Sequence, residues 1–174
     1  MNQINLFIFL LLITTGIHAK GIYQTNDAFV AEAFDHPPPS PQFVWFTGEL
    51  KTEVARILEH RPTTLRTRYW QQAARTVWIL EEIGKEKPIT VGIIVNKQQI
   101  EQVKVLAFRE SRGWEVRRED FTKQFIDTQL NDNKQLTKPI DGISGATLSV
   151  SALTRLARLA LYLDSQVNNV NDSQ

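Results

Sequence analysis

A threonine follows several small residues at the point where the sequence predicts the start of its last helix. This threonine motif reads Asp141-Gly142-Ile143-Ser144-Gly145-Ala146-Thr147. Residues 148–167 contain no glycine or proline and predict one helix, and the small residues let a bulky group approach the backbone. A phosphate bound at Thr147 would face free N–H groups and the positive end of a helix dipole. The other interpretation is that Ser144 or Thr147 only caps the helix, as these residue types often do.

The motif resembles the flavinylation motif of the FMN-binding domain family, which is written D-x-x-[S/T]-G-A-T. That family includes extracytoplasmic flavoprotein subunits of sodium-pumping quinone reductases and of ferredoxin-oxidising complexes. In it, a separate flavin transferase uses FAD to esterify the last threonine with the phosphate of FMN. The resemblance implies covalent FMN at Thr147. It also implies that Asp141 and Ser144 are read by the transferase or pack beside the phosphate, with the small motif residues lining the cofactor.

A second segment, the glutamate turn, resembles the family where its antiparallel sheet ends. The quinone-reductase subunits carry E-T-P-G-L-G there, against the flavin ring, and this chain has Glu110-Ser111-Arg112-Gly113-Trp114. The glutamate and the later glycine match, whereas the proline and the second glycine do not. An indole can stack on the ring, and a guanidinium can stabilise negative charge on it. Glu110, Arg112 and Trp114 are therefore candidate ring contacts; alternatively, Trp114 is a core aromatic and Arg112 a surface cation.

Three runs rich in β-branched residues predict strands at 76–80, 89–95 and 100–108. The polar link at 96–99 predicts that the last two strands form an antiparallel hairpin. Alternation in the third run predicts two faces. Val103, Val105 and Ala107 fall on one face, and Lys104, Leu106 and Phe108 on the other.

Helical spacing of apolar residues predicts an amphipathic helix at 43–59, which Pro62 stops. The last helix has a wide apolar face that leaves Arg155 and Arg158 to the solvent. These elements predict an α+β fold, an antiparallel sheet with flanking helices, as the FMN-binding domain resemblance also implies. We further expect the glutamate turn and residues 144–147 to line one cleft.

The N-terminus has the pattern of a secretory signal peptide. Residues 6–13 form an apolar run, much shorter than the roughly 20 residues that span a bilayer, and Ile17-His18-Ala19 provides a cleavage site. We expect cleavage after Ala19 and a periplasmic or otherwise extracytoplasmic location; an uncleaved anchor or a buried strand is the alternative. The chain has no cysteine, which excludes a cysteine-linked lipid anchor, disulfides and thiolate metal sites.

The expected organisation is a signal peptide at 1–19, an arm with a proline-rich spacer at 20–42, an FMN-binding domain at 43–167 and a frayed tail at 168–174. The chain has 20 basic and 19 acidic residues, a balance that argues against a nucleic-acid partner. The arginine-rich segment 61–70 is the local exception. We interpret it as a solvated connector whose arginines pair with nearby acids; a docking patch for an acidic partner or the anionic cofactor is the alternative.

The sequence therefore predicts an exported flavoprotein that carries FMN and relays electrons to or from a membrane cytochrome or a quinone-linked partner. We expect an electron-transfer flavoprotein more than a stand-alone enzyme, because no catalytic constellation or metal pattern is found in the sequence. Two alternatives remain open. One is a non-flavinylated sensing or assembly module of the same fold, and the other is a flavin-dependent reductase that acts directly on a small substrate.

Overall fold

The computed structural model describes residues 21–34 and 37–171, with side chains up to residue 168. The predicted signal peptide, its cleavage site after Ala19 and the last residues of the tail lie outside the described residues. Five antiparallel strands form one sheet in sequence order. They are β1 (Gln42–Trp45), β2 (Arg66–Gln72), β3 (Arg75–Ile83), β4 (Pro88–Asn96) and β5 (Gln99–Phe108).

Helices cover both faces of this sheet and confirm the predicted α+β fold. They are α1 (Asn26–Ala33), α2 (Gly48–Leu58), α3 (Glu119–Thr122) and α4 (Thr147–Asn171), with single 3₁₀ turns at Trp114–Arg117 and Lys123–Phe125. Among the described helices, none is both long enough and apolar enough to cross a bilayer.

The hairpin between β4 and β5 is confirmed. Lys97 and Gln98 form its two-residue loop, and both have positive φ angles, of 51° and 62°. Such a loop matches the twist of the strands that it joins. The register pairs Val91 with Val105 and Ile93 with Val103.

The strict alternation predicted for β5 is wrong at its end. The register shifts between Thr90 and Val91, so the strand contains a bulge near Leu106. A bulge adds one residue and reverses the face of every later side chain. Phe108 therefore packs in the same core as Val105, under α4, while Leu106 packs under α1.

Residues 43–59 form a strand and then a helix, so the single helix predicted there is wrong in its first part. β1 pairs with β2, and α2 begins only at Gly48, which has a φ of +51°. Trp45, one of the apolar residues whose spacing predicted the helix, is 53% exposed. Segment 61–70 likewise contains most of β2 and is not only a connector.

The N-terminal arm, in which no pattern was found, contains α1 and covers the face of the sheet opposite α4. Phe29 is fully buried there, and its ring lies directly against the backbone of Gly92. A side chain at position 92 would collide with that ring. Glycine in the middle of β4 thus permits the close approach of α1.

The expectation that Arg155 and Arg158 face water is wrong, because α2 and the loop before α4 enclose this side of the last helix. Arg155 Nη2 lies 3.5 Å from the buried carboxylate of Glu82, and Arg158 Nη1 lies 3.8 Å from Glu59. Arg158 Nε also donates a 2.8 Å hydrogen bond to the Lys134 carbonyl. These ion pairs connect α4 to α2 and β3.

Candidate functional site

The threonine motif forms a tight turn followed directly by α4. The Ala146 N–H donates a 3.0 Å hydrogen bond to the Ile143 carbonyl, and Gly145 has a φ of +82°. A glycine with this φ at the third position is characteristic of a type II turn. Thr147 is the first helical residue, and its side chain is exposed. The motif therefore presents a hydroxyl to the solvent at the N-terminus of a long helix.

No side chain caps this helix N-terminus within the described residues. The first helical hydrogen bond runs from the Val150 N–H to the Ala146 carbonyl, at 3.0 Å, so Ala146 occupies the capping position. Alanine has no oxygen with which to accept a hydrogen bond, and neither Ser144 nor Thr147 takes over that role. The alternative interpretation of the motif as a simple helix cap is therefore wrong. The N–H groups of residues 147–149 remain available to an anion, and the helix dipole favours one there.

The surface beside these N–H groups is open. A methyl group added at Gly142 or Gly145 would meet nothing within 4 Å. Asp141 is exposed, and its backbone N–H donates a 2.7 Å hydrogen bond to the Gln124 side chain, which holds the beginning of the motif in place. Ser144 is exposed as well, whereas Ala146 is buried. A bulky group can therefore reach Thr147 without displacing the protein.

The glutamate turn lies directly against the start of α4. Gly113 has a φ of +83°, and a methyl group at this position would stand 2.8 Å from Ser149 Oγ and 3.4 Å from the Ala146 methyl. Both the backbone conformation and the close contact therefore require glycine. The fold thus brings together two segments that are distant in the sequence, at 110–114 and 141–147. The single cleft that we expect them to line stays a prediction. The contacts of Glu110, Arg112 and Trp114 with a flavin ring remain a prediction.

Glu110 anchors the glutamate turn to the loop between β3 and β4. One of its carboxylate oxygens accepts hydrogen bonds from the backbone N–H groups of Lys85, Glu86 and Lys87, at 2.6, 2.6 and 2.8 Å. Burial raises the pKa of this carboxyl, but the three hydrogen bonds outweigh it and hold the pKa below its usual value. Sequence reasoning assigned Glu110 to the ring and missed this anchoring role.

Trp114 projects from the turn and is 44% exposed, so the alternative that it is a core aromatic does not hold. The Arg117 guanidinium lies between two rings, 5.1 Å from the Trp114 centroid and 4.4 Å from that of Tyr23. This stack orders the indole while Trp114 as a whole stays partly exposed. Arg112, on the same turn, is exposed.

The described residues contain no group of three or more histidine and acidic side chains arranged to hold a metal ion. His60, at the end of α2, instead shares a hydrogen bond of 3.0 Å with the buried Glu82 carboxylate. A hydrogen bond with the Arg61 carbonyl, together with this contact, raises the pKa of His60.

Residues 84–162 match the model of a protein family that is described as the FMN-binding domain. This segment resembles an FMN-binding domain. The match spans the glutamate turn, the threonine motif and most of α4, and it confirms the family that the sequence motif indicated. A comparison with curated proteins finds no match to the chain.

The residues at the start of α4 fit FMN, the cofactor that the family match supports. FMN carries a phosphate dianion and a large planar ring. The uncapped N–H groups and the open glycine surface suit the phosphate. Trp114, on the neighbouring glutamate turn, is a partly exposed aromatic residue of the type that stacks on such a ring. Thr147 itself is exposed.

Proposed function

We propose that this protein carries FMN bound covalently through a phosphoester at Thr147 and relays electrons. The observation that supports this most is the exposed Thr147 hydroxyl at the uncapped N-terminus of α4, inside a segment that matches the FMN-binding domain. A helix of this length ordinarily begins with a capping side chain. Its absence is what a site for a phosphate at this terminus would require.

In the attachment reaction, one bond to phosphorus forms as another breaks. The Thr147 Oγ attacks the FMN phosphorus of FAD, the bond to the AMP phosphate breaks, and AMP leaves. The hydroxyl proton passes to a base of the flavin transferase. Exposure of Thr147 in the described structure allows that enzyme to reach it.

The chain's own residues then hold the cofactor. The N–H groups of residues 147–149 bind phosphate oxygens, and Gly145 leaves space for them. Trp114 supports the ring by stacking, and Arg112 contributes positive charge near it. When bound, the flavin accepts two electrons and releases them one at a time, which links unlike donors and acceptors.

We place this function outside the cytoplasm, after removal of residues 1–19. The apolar run at 6–13 and the Ala19 cleavage site support export, and a covalent bond retains a flavin that an exported protein could not replace from the cytosol. The partners we propose are a flavin transferase for maturation and a membrane cytochrome or quinone-linked reductase for electron exchange. The family resemblance is what supports these proposed partners.

Substitution at Thr147 tests the proposal. With a flavin transferase co-expressed, Thr147→Ala should abolish the flavin fluorescence that survives denaturation, whereas Thr147→Ser should retain part of it because an attacking oxygen remains. Thr154→Ala is a matched control on the same helix, since the Thr154 hydroxyl only donates to the Val150 carbonyl. Persistent fluorescence in Thr147→Ala would refute the attachment site. A colourless wild-type protein would favour the non-flavinylated sensing or assembly module.

A further inference from the structure

One corner of the sheet carries a basic-aromatic patch, which consists of Phe43, Trp45, Leu65, Arg66 and Arg68. The three apolar side chains are 47%, 53% and 65% exposed. Phe43 and Trp45 stand opposite Arg68 and Arg66 in the register of β1 and β2. All four therefore project from the same face of the sheet, beyond the part that α1 covers.

The arginines of the patch are held over aromatic rings, two within the patch and one beside it. The Arg66 guanidinium lies 4.3 Å from the centroid of Phe43 and 4.8 Å from that of Trp45. Arg68 lies 5.5 Å from the ring of Trp70. Cation–π contacts of this kind order the guanidinium groups without consuming their hydrogen-bond donors.

Arg66 and Arg68 form no ion pair with a carboxylate in the part of the chain that the structure describes. Glu81, the acid on the same face of neighbouring β3, lies 3.9 Å from Arg109 and accepts a hydrogen bond from Thr90. The sequence-based expectation that these arginines pair with nearby acids is therefore wrong for both residues. The patch keeps an uncompensated positive charge beside exposed apolar side chains.

A cleft opens next to the patch because β2 and β3 separate. Their pairing ends at Tyr69 opposite Trp78, although β2 begins three residues earlier, at Arg66, and β3 continues to Ile83. A cavity of about 560 Å³ occupies the gap, and Thr63, Arg66 and Arg68 contribute to its lining. The carboxylates of Asp27, Glu81 and Glu82 line the same cavity, so the exposed patch beside it, and not the cavity itself, is the surface that suits an anion.

We propose that the basic-aromatic patch docks the protein on an anionic lipid surface. Tryptophan is enriched where proteins meet the membrane interface, and arginine is attracted to anionic headgroups. Charge alone would also suit an acidic protein. The patch combines arginines that form no ion pair with the exposed side chains of Leu65, Phe43 and Trp45. A membrane interface suits both, because its phosphate groups attract arginine and its acyl chains accept apolar side chains. This inference goes beyond the proposed function and does not depend on flavin.

Docking through the patch would turn the flavin end of the domain toward the membrane. β2 and β3 are antiparallel, and Tyr69 pairs with Trp78. Arg66, three residues before Tyr69, therefore lies beside the C-terminal part of β3. β3 ends at Ile83, and β5 leaves the sheet at Phe108, opposite the start of β4. The patch and the glutamate turn therefore lie at the same end of the sheet, near any partner embedded in the membrane.

Vesicle co-sedimentation tests the proposal, with the wild type and all variants prepared in the same form so that residues 6–13 contribute equally. The wild type should bind vesicles of phosphatidylglycerol and phosphatidylcholine, and bind pure phosphatidylcholine much more weakly. Arg66→Gln/Arg68→Gln should lower the partition coefficient on the anionic vesicles about tenfold or more. Trp45→Phe should keep binding but lose part of the fluorescence quenching by brominated lipid.

The matched control is Lys97→Gln/Lys134→Gln, which removes the same charge from the opposite end of the sheet and from the α4 side. Binding that falls equally in both double variants, or equal binding to the two kinds of vesicle, would overturn the proposal. Absence of vesicle binding together with arginine-dependent binding to a polyglutamate peptide would replace the membrane with an acidic protein partner. Circular dichroism of each variant verifies that these substitutions leave the fold intact.

Discussion

Replacing Gly113 with alanine tests the contact that joins the glutamate turn to the start of α4. Gly113 and Gly145 have nearly the same φ, +83° and +82°, and alanine at either position pays a conformational cost of about 1 kcal/mol. Only at Gly113 does the new methyl group also meet an obstacle, at 2.8 Å from Ser149 Oγ. Overpacking of this kind adds about 2 kcal/mol. We therefore expect Gly113→Ala to lower the free energy of unfolding by about 3 kcal/mol and Gly145→Ala by about 1 kcal/mol.

Urea unfolding of the protein prepared without a flavin transferase measures both values. Ser149→Ala in the Gly113→Ala background removes the obstructing oxygen, because the remaining Ser149 Cβ would stand at 3.5 Å, an ordinary contact. This second substitution should return the loss to the level of Gly145→Ala. Equal losses for the two glycine variants, or no recovery in the double variant, would refute the packing that places the turn against the helix.

Two further predictions concern the carboxyl groups of Asp164 and Glu110. Burial raises the pKa of Asp164 from 3.8 to about 6 despite hydrogen bonds from Thr76 and Gln98, so its contribution to stability is lost as pH rises from about 4 to 6. Asp164→Asn should remove that dependence, and the difference in unfolding free energy from the wild type should change by about 2 kcal/mol between pH 4 and pH 7. A constant difference would contradict the burial argument. For Glu110 the folded pKa is lowered, so its contribution is present above the unfolded pKa and is lost as pH falls through the folded one. Glu110→Gln should lower the unfolding free energy by about 1 to 2 kcal/mol at pH 7, because the charge-assisted bonds to residues 85–87 weaken, and Glu86→Gln is the exposed control; equal effects of the two variants would contradict the anchoring role.

Local sequence patterns were sufficient to predict the strands whose own residues favour an extended conformation. β3, β4 and β5 are rich in Val and Ile, and a two-residue loop joins the last two, so their pairing follows from neighbouring residues. β2 was missed because Arg66, Arg68 and the two glutamines at its end resemble a solvated connector. Its strand conformation depends on β1 and on part of β3, whose positions only the folded chain supplies.

The candidate site also has features that the local sequence predicts and features that depend on distant parts of the chain. The motif identified Thr147 and the preceding turn, since glycine at position 145 and the uninterrupted helical segment are local signals. The contact of Gly113 with Ser149 and the anchoring of Glu110 by the β3–β4 loop depend on the packing of distant elements. Helical periodicity likewise placed Arg155 in water, because it could not show that Glu82 from β3 would be buried beside it.

The mass of the protein after co-expression with a flavin transferase tests the central claim most directly. We predict that denatured wild-type protein carries one covalent FMN group, gained with loss of one water, and that fragmentation of its proteolytic peptides locates the addition at Thr147. The Thr147→Ala variant should have the unmodified mass. An unmodified wild-type protein, or an FMN group found on any other residue, would contradict the claim.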